Sequence, residues 1–551
     1  MRALVLFLTI SRAVCFGQIL GDASAVNAGN LAGSLEPNYG VAPGSRFALL
    51  GSALGATASQ EDFPLAKQLG EASVTVTVGG TTLDCWVLSA RADRVVALLP
   101  SAMPAGDGTV TLTRSPLTAT TKIHVVPVAF GLLARDQTEL GPAFAFHDNM
   151  NPITLLDSAV AGENVTIRGT GLGAVSGDEG AGPVPADMNV PLDIWVGGVA
   201  ASLVSARRSG TLAGIDEIVI QVPPGVQGCS VPVAVRAAGA VSNYVTIPIH
   251  DGGGPCSDAF GFTPDALSSL PGDRDPRIGV ISLSRTGISN EGFTAQTDVG
   301  RLNFASYSAD QLFSRRGATP ATMPGACVVL YISDQRGTTS ADTITGRSLL
   351  TGTVTISGPK GTKTIDPNGD GILGQGMLLP ALPGGFPGLP FPASGDLFLE
   401  PGSYTITGTS SPDMGAFSVA FQLPAAVQWS NQPDGLAALT LMIPRDQDLH
   451  VEWTNGNDPD LVMIQGFGLT PDASGAAFAC TERASKGSFN VPSWVLSSIP
   501  PTVGGSTLFG PGGGLSVGMV SGAPGRFSAD QLDLGLVAFS TNTFVGIGGW
   551  R

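Results

Sequence analysis

One serine lies in a sequence pattern that is typical of hydrolases. Gly514-Leu-Ser516-Val-Gly518 matches the G-x-S-x-G motif, in which a sharp strand-to-helix turn exposes a nucleophilic serine and a histidine follows later in the chain. Here no helical pattern follows the motif, and no histidine occurs after His450. Leu515 and Val517 alternate with the other residues, which predicts a strand. We therefore expect a non-enzymatic protein, with a cryptic hydrolase as an alternative.

A glycine-rich segment superficially resembles a phosphate-binding loop. Its glycines are Gly169, Gly171, Gly173 and Gly177. A dinucleotide-binding loop requires a helix whose N-terminus meets the phosphate, whereas Gly, Asp, Glu and Pro follow here. The segment is therefore interpreted as a turn between strands.

An aspartate-rich turn contains the first half of a calcium-binding loop. In Asp366-Pro-Asn368-Gly-Asp370-Gly, oxygen-bearing side chains alternate as they do in loops where they converge on one ion. The twelfth position is Met377 instead of the usual bidentate glutamate. Asp366, Asn368 and Asp370 are thus an incomplete set of candidate Ca2+ ligands, and a simple turn is the alternative. No other metal or cofactor is expected.

The histidines do not suggest a metal site or a catalytic pair. There are 4 of them: His124, His147, His250 and His450. His124 and His450 fall in the polar phase of predicted strands and are expected to face solvent. His147 precedes Asp148 in a predicted loop, where such a pair is more often structural than catalytic.

The 6 tryptophans raise the alternative of polysaccharide binding, because exposed aromatic rings can stack on sugars. In strands, however, tryptophan usually belongs to the core. Trp195 and Trp453 lie among alternating apolar residues and are expected to be buried. Trp550, next to the end of the sequence, is expected to be the most exposed.

The cysteines predict disulfide bonds. Five of the 6 follow the N-terminal segment, and none of these forms a C-x-x-C pair, so a zinc site has no support. In an exported protein, disulfides are the natural interpretation. Cys229 and Cys256 flank a predicted strand, Cys327 and Cys480 would then form the second pair, and Cys85 would remain a free buried thiol. The sequence alone does not fix this connectivity.

The N-terminus has the features of a secretory signal peptide, which predicts a secreted or cell-surface protein. Arg2 is followed by a short apolar run from Ala3 to Ile10, and a small residue precedes a polar one at Gly17. The alternative for this run is a buried first strand. No later segment is long and apolar enough to predict a membrane span.

Composition excludes one class of partner and favours one class of fold. The 551 residues include 28 Lys+Arg and 44 Asp+Glu, a net charge of −16, which argues against nucleic-acid binding because that needs clustered cations. With 75 Gly, 41 Pro and only 13% charged residues, the chain favours strands and turns over helices.

An internal repeat organises the first half of the sequence. Val41 to Gly55 aligns with Ala159 to Gly173, and the VTVGG segment ending at Gly80 matches IWVGG ending at Gly198. Further on, GDGTVTLTR ending at Arg114 matches GCSVPVAVR. Each copy alternates apolar and polar residues, as half-buried antiparallel strands do. The two copies are therefore predicted to be two β-sandwiches.

These segments resemble a known domain type. APGSRFALLGSALG and GENVTIRGTGLG resemble the opening strands of Ig-like IPT/TIG domains, and the paired copies resemble those of secreted Solibacter-type proteins of Acidobacteria. In that family a GGPCSD tail, here carrying Cys256, follows the second domain, and GCSVPV carrying Cys229 also fits. The resemblance supports the Cys229–Cys256 pairing and implies no activity. EPGSYTITG and GAFSVAFQLP resemble a C-terminal module of the same proteins.

The expected organisation is all-β, with tandem Ig-like β-sandwiches followed by further sandwich-like domains. The predicted boundaries are a signal peptide at 1–17, Ig-like domains at 18–150 and 151–250, a linker at 251–280, and sandwich-like domains at 281–428 and 429–551. The expected function is an extracellular adhesion, recognition or spacer scaffold. Its expected partner is an extracellular protein or a cell-envelope component, with polysaccharide as the alternative.

Overall fold

The computed structural model describes most of the chain beyond the predicted signal peptide. The described residues are 19–34, 36–135, 141–259, 261–290, 293–307, 323–332, 346–365, 371–378, 396–433, 438, 440–471, 475–503 and 512–551. The predicted signal peptide at 1–17 lies outside them, as do Asp366, Asn368 and Asp370. None of the helices in these residues has the length and hydropathy that crossing a membrane requires.

The protein is all-β, as predicted, and its sheets are predominantly antiparallel. Residues 19–125 form two facing sheets, ordered β1-β2-β8-β7-β3 and β10-β9-β5-β4, with β6 paired to β5. Val74 and Val76 meet Phe47 and Leu49 in the core between them. The strands are β1 (Ile19–Asn27), β2 (Arg46–Ser52), β3 (Ala58–Ser59), β4 (Gln68–Leu69), β5 (Ala72–Val78), β6 (Thr81–Asp84), β7 (Trp86–Ala90), β8 (Arg94–Leu98), β9 (Gly106–Arg114) and β10 (Leu117–Val125).

Residues 131–249 repeat this arrangement, which is the structural counterpart of the sequence repeat. The sheets are ordered β11-β13-β18-β17-β14 and β16-β15-β19-β20, with β12 on β13 and β21 on β19. The strands are β11 (Gly131–Leu132), β12 (Ala145–Phe146), β13 (Asn164–Thr170), β14 (Ala186–Asp187), β15 (Leu192–Val196), β16 (Val199–Ala200), β17 (Ser202–Arg208), β18 (Asp216–Gln221), β19 (Gly228–Ala237), β20 (Ala240–Val241) and β21 (Val245–Ile249). We call these two units the first and second sandwiches.

The segment predicted as a linker is folded onto its neighbours. It contains helix α1 (Pro264–Ser268), where the side chain of Thr263 accepts the backbone N–H of Ala266 as an N-cap (3.3 Å). Cys256 and Leu267 pack into one small apolar cluster, and the backbone N–H of Cys256 donates to Leu155 O (2.9 Å). The predicted linker is therefore held in place despite its Gly and Pro content.

The remainder of the chain is built around a ten-stranded sheet, with a four-stranded sheet β27-β26-β29-β30 beside part of it. It contains helix α2 (Ser493–Leu496), whose N-cap residue is Pro492. The strands are β22 (Arg277–Asn290), β23 (Phe293–Ser306), β24 (Ala326–Ile332), β25 (Arg347–Ser348), β26 (Val354–Gly358), β27 (Gly361–Ile365), β28 (Ile372–Leu378), β29 (Gly402–Gly408), β30 (Phe417–Leu423), β31 (Gln428–Trp429), β32 (Met442–Ile443), β33 (Leu449–Thr454), β34 (Leu461–Leu469), β35 (Gly475–Arg483), β36 (Ser488–Val491), β37 (Thr502–Val503), β38 (Gly512–Val520), β39 (Gly525–Phe527), β40 (Leu534–Ile547) and β41 (Gly549–Trp550).

The ten-stranded sheet joins residues from both sides of the predicted 428/429 boundary. Its order is β24-β35-β34-β38-β40-β22-β23-β25 along the main path, with β28 on β23 and β39 on β40. β22 pairs in parallel with β40, and β24 pairs with β35. The predicted division therefore does not coincide with a break between sheets.

Candidate functional site

Ser516 lies in the middle of a strand and not on a nucleophile elbow. Its hydroxyl donates to Oε1 of Gln465 on the neighbouring β34 (3.3 Å), and only 5% of the residue is exposed. Gly514 leaves room for the rings of Phe467 and Phe544, which stack over it with centroids 5.7 Å apart. The 4 histidines all lie in described residues, and none of them hydrogen-bonds Ser516. Sheet packing accounts for the G-x-S-x-G pattern.

The glycine-rich loop binds a carboxylate of its own sandwich. The backbone N–H groups of Gly171 and Leu172 both donate to Oδ2 of Asp216, each at 2.8 Å. Gly171 has φ of +112°, a backbone conformation that favours glycine. The amides that a phosphate would need are therefore already occupied.

His147 sits in an open cleft of about 360 Å³ with carboxylates around it. Its Nδ1 lies 2.6 Å from Oε1 of Glu163, and its Nε2 faces the backbone oxygen of Asp157 at 3.4 Å. Asp148 and Asn149 complete the lining. The carboxylate of Glu163 thus holds one ring nitrogen, while the other faces a backbone oxygen. Among the described residues, no group of three or more His, Cys, Asp or Glu is placed to hold a metal ion.

Two other histidines face solvent on strands, as predicted. His124 contacts Asp107 (2.6 Å) and its side chain is 41% exposed. His450 contacts Asn490 (2.6 Å) and Glu452 (2.9 Å). The hydrogen bonds to Glu452 and Asn490 raise the pKa of His450 above its ordinary value. These contacts tie neighbouring residues of exposed strands together.

The tryptophans are used in packing. Trp453 is buried as predicted, but the prediction for Trp550 is wrong, since it is 0% exposed. Its indole N–H donates to Phe467 O (2.7 Å). Trp195 is half-buried and stacks on Trp494, with ring centroids 4.2 Å apart and planes 9° from parallel. All 6 tryptophans are described, and none is among the largely exposed residues.

The cysteines are joined in the pairs expected from the sequence. Cys229 is bonded to Cys256, and Cys327 to Cys480. The second pair joins directly opposed residues of β24 and β35. Cys85 is a free, buried thiol, and burial raises its pKa far above the ordinary value. A thiol of this kind is a poor nucleophile.

Buried asparagines connect the first sandwich to the second. Asn27, Asn38 and Asn243 are each at most 4% exposed, and their side chains bond to backbone groups on the other side of the junction. A buried amide that is fully bonded specifies one relative placement, since any shift would leave polar groups unpaired. The bonds run from Asn27 Nδ2 to Ala129 O (2.6 Å) and Thr170 O (3.1 Å), from Asn38 Nδ2 to Phe130 O (2.7 Å), and from Asn243 Nδ2 to Gly29 O (3.2 Å).

A buried ion cluster lies at the same junction. Arg208 donates to Oδ1 of Asp216 (2.8 Å), Oε1 of Glu179 (2.9 Å) and Gly173 O (2.8 Å). The backbone N–H of Ser101, from the first sandwich, donates to the other oxygen of Glu179 (3.1 Å). Burial raises the pKa of Glu179 above its ordinary value, although Ser101 and Arg208 oppose the rise. The charges of the second sandwich are thus partly satisfied by the first.

Aromatic contacts join the second sandwich to the C-terminal half. Trp494 of α2 stacks on Trp195 and lies beside Tyr244 (centroids 6.4 Å apart). The guanidinium of Arg236 lies 5.4 Å from the centre of the Trp195 ring, which adds a cation–π contact to the stack. Tyr244 also belongs to the main apolar core of the C-terminal half.

Sequence reasoning did not identify these junction residues. The available signal was a charged residue at each of two consecutive strand ends, with Arg208 ending β17 and Asp216 starting β18. To predict the ion cluster from these two charged residues, one must also know that β17 pairs with β18 and that Glu179, in a long loop, lies beside them. The asparagines carry no sequence signal, because their partners are backbone groups far along the chain.

Comparisons with known proteins find weak likenesses only. No protein-family model and no curated protein matches the chain. Solved structures that it resembles include domains A168-A170 from titin (10% identity, 73% of this chain and 94% of that one, TM-score 0.13). A second is the Bacteroides ovatus mixed-linkage glucan utilization locus protein SGBP-B in complex with a mixed-linkage heptasaccharide (11% identity, 79% of this chain and 91% of that one, TM-score 0.13). A third is the S-layer protein rSbsC (10% identity, 92% of this chain and 53% of that one, TM-score 0.17). At such TM-scores these likenesses carry no functional argument.

Proposed function

We propose that this protein is a secreted, non-enzymatic scaffold of β-sandwiches that serves adhesion or recognition outside the cell, or spaces other components there. The observation that carries the proposal is the solvent-excluded junction formed by Asn27, Asn38, Asn243 and the Arg208 cluster. Movement of one domain relative to the other is the usual expectation for tandem domains unless their interface fixes it. A buried, hydrogen-bonded junction instead holds two sandwiches as one stiff unit, which suits a structural role.

The state of the residues that could do chemistry supports a non-enzymatic role. The hydroxyl of Ser516 is bonded within a sheet, both nitrogens of His147 face oxygens, and the thiol of Cys85 is buried. Catalysis needs a nucleophile or a base that can reach a substrate. We also propose two tandem sandwich domains, but with the boundary between residues 125 and 131 in place of the predicted 150/151, because β11 and β12 pair with β13 of the second sandwich.

The proposed partner is an extracellular protein or a cell-envelope component. Loops at the ends of a sandwich are the usual contact surfaces, because the sheets fix them in space. Polysaccharide binding through stacked tryptophans is not favoured, since Trp195 and Trp494 stack on each other and Trp550 is buried. The two disulfides fit an oxidising compartment.

Fractionation and binding measurements test this proposal. The full chain carrying a C-terminal tag is followed in cytoplasm, envelope and medium, and the purified protein is passed over immobilised envelope fractions and neutral polysaccharides. We expect the chain outside the cytoplasm, retained by envelope fractions and not by dextran. Retention in the cytoplasm, or turnover of ester or glycoside substrates by the purified protein, would contradict the proposal.

A further inference from the structure

Three arginines surround one open cavity at the start of the ten-stranded sheet. The cavity has a volume of about 400 Å³ and is lined by Arg274, Asp275, Arg277, Ser306, Arg347 and Gln531. The chain as a whole has 28 cationic residues against 44 acidic ones. Three of the six residues that line the cavity are therefore arginines, in a chain that is acidic overall.

The register of three neighbouring strands places two of these arginines on either side of a serine. Arg277 of β22 is opposite Ser306 of β23, and Ser306 is in turn opposite Arg347 of β25. Side chains that are opposite each other across a sheet point to the same face. Because adjacent strands are about 4.8 Å apart, the two arginines leave the sheet about 10 Å from each other. A small anion fits between two long side chains at that spacing.

Two of the arginines are held in fixed orientations by carboxylates behind the cavity. Arg274 forms two hydrogen bonds to Asp533 (2.9 and 2.7 Å), and Asp533 also accepts the backbone N–H of Arg277 (2.7 Å). The Arg277 side chain donates to Gln531 (3.2 Å) and to the backbone oxygen of Asp413 (2.5 Å). The carboxylate of Asp413 also forms an ion pair with the guanidinium of Arg277, with Oδ1 3.6 Å from Nη2. These contacts balance the charge of two guanidinium groups and pre-orient them.

Arg347 differs from the other two because it is exposed and has no hydrogen bond or ion pair within the described part of the chain. Its guanidinium keeps all five N–H donors for a ligand. Among the described residues that line the cavity, the single carboxylate is that of Asp275, which is exposed at the rim. The backbone oxygen of Asp275 accepts Arg274 (3.2 Å) and Ser306 (3.5 Å), so its side chain can be changed without removing these bonds.

We infer that this cavity binds an oxyanion group, the carboxylate or sulfate ester of an acidic extracellular glycan. Arg347 would pair with the oxyanion directly, while Arg274 would add a second cationic donor at the rim of the cavity. Arginine is suited to this task because its planar fork matches the geometry of carboxylate and sulfate oxygens. This inference rests on the proposed extracellular function and names the chemistry of its partner.

Calorimetric titration of the full chain tests the site with polygalacturonate and dextran sulfate, and with neutral dextran as the uncharged polymer. We expect binding of one or both acidic polymers, weakened by salt because the contact is electrostatic, and no binding of dextran. Arg347→Gln should raise the dissociation constant at least tenfold, since a charge-assisted hydrogen-bonded pair is lost. Asp275→Asn should lower it by roughly threefold, because a nearby repulsive charge is removed.

Arg91→Gln is the matched control, since Arg91 is an arginine of the first sandwich with 47% of its side chain exposed. It should leave binding unchanged, and circular dichroism should show all three variants folded. Equal binding by Arg347→Gln and the unchanged protein, or weaker binding by Asp275→Asn, would overturn the inference. Retention on envelope fractions without binding to either acidic polymer would also overturn it, while leaving the proposed function standing. Inorganic sulfate as a competitor separates a bare oxyanion site from one that needs the sugar.

Discussion

The backbone N–H of Ser101 in the first sandwich lies 3.1 Å from Oε2 of Glu179 in the second, and the other oxygen of that carboxylate lies 2.9 Å from Arg208. A single carboxylate thus links the two sandwiches and neutralises a buried cation. The arrangement is costly to disturb from either side, because each group removed leaves another one buried without its partner. We therefore expect this site to stabilise the placement of one sandwich against the other.

Replacing Arg208 should strongly destabilise the protein. In Arg208→Ala the carboxylates of Asp216 and Glu179, which are 0% and 4% exposed, lose their countercharge. Breaking a buried pair in this way typically costs about 3–5 kcal/mol. Urea unfolding followed by tryptophan fluorescence measures the loss. Arg207→Ala is the control. Arg207 is the next residue along the strand, its side chain is 51% exposed, and it pairs with Glu217 at 3.3 Å. That change should cost about 1 kcal/mol or less, and equal losses in the two variants would contradict the interpretation.

The pH dependence of stability should carry a contribution from Glu179. Because burial raises the pKa of this carboxyl in the folded protein, the folded state holds its proton more tightly than the unfolded state does. The resulting stability is complete below the ordinary value of 4.5 and is lost as pH rises through the raised pKa. Thermal unfolding across this window should show that loss in the unchanged protein.

Glu179→Gln provides the comparison, since an amide at this position does not titrate. Its unfolding temperature should vary less with pH above 4.5 than that of the unchanged protein. Identical curves for Glu179→Gln and the unchanged protein would mean that Glu179 keeps an ordinary pKa in the fold.

A methyl group at Gly180 should separate the sandwiches locally. A Cβ atom there would overlap the indole of Trp86 in the first sandwich, and the carbonyl of Gly180 is fixed by the N–H of Leu65 (2.8 Å). We expect Gly180→Ala to lower the free energy of unfolding by about 1–3 kcal/mol, as overpacking does, and to speed proteolysis at the junction. Gly182→Ala, where nothing lies within 4 Å of the added atom, should be neutral or slightly stabilising. A neutral Gly180→Ala would show that Trp86 can move aside.

The parts of the fold that follow from local patterns could be predicted from the sequence. Val74, Val76 and Val78 alternate with threonines, and all three are buried in β5 as that alternation predicts. The paired glycines at 79–80 and 197–198 both adopt the positive φ angles of tight hairpin turns. These features depend on residues close in sequence, so no knowledge of the fold was needed.

The parts that depend on distant pairing could not be predicted. β22 pairs with β40 although residues 291–533 lie between them in the sequence, so no local pattern relates the two strands. The position of Trp550 near the end of the sequence suggests an exposed side chain, whereas the residue is buried and hydrogen-bonds Thr502 and Phe467. The arginine cavity arises from the register of β22, β23 and β25, which brings Arg347 beside residues that are remote in sequence.

The two disulfides should differ in how much they stabilise the protein. A disulfide stabilises the folded state by lowering the entropy of the unfolded chain, and this effect increases with the length of the closed loop. The separation of 153 residues between Cys327 and Cys480 corresponds to a stabilisation of about 5 kcal/mol. The separation of 27 residues between Cys229 and Cys256 corresponds to about 3.5 kcal/mol. Replacing both cysteines of a pair by serine and measuring urea unfolding compares them. We expect the Cys327/Cys480 variant to lose more stability. The opposite order would show that the Cys229–Cys256 bond has a larger role than its loop length gives it, by fastening the segment around α1 to the second sandwich.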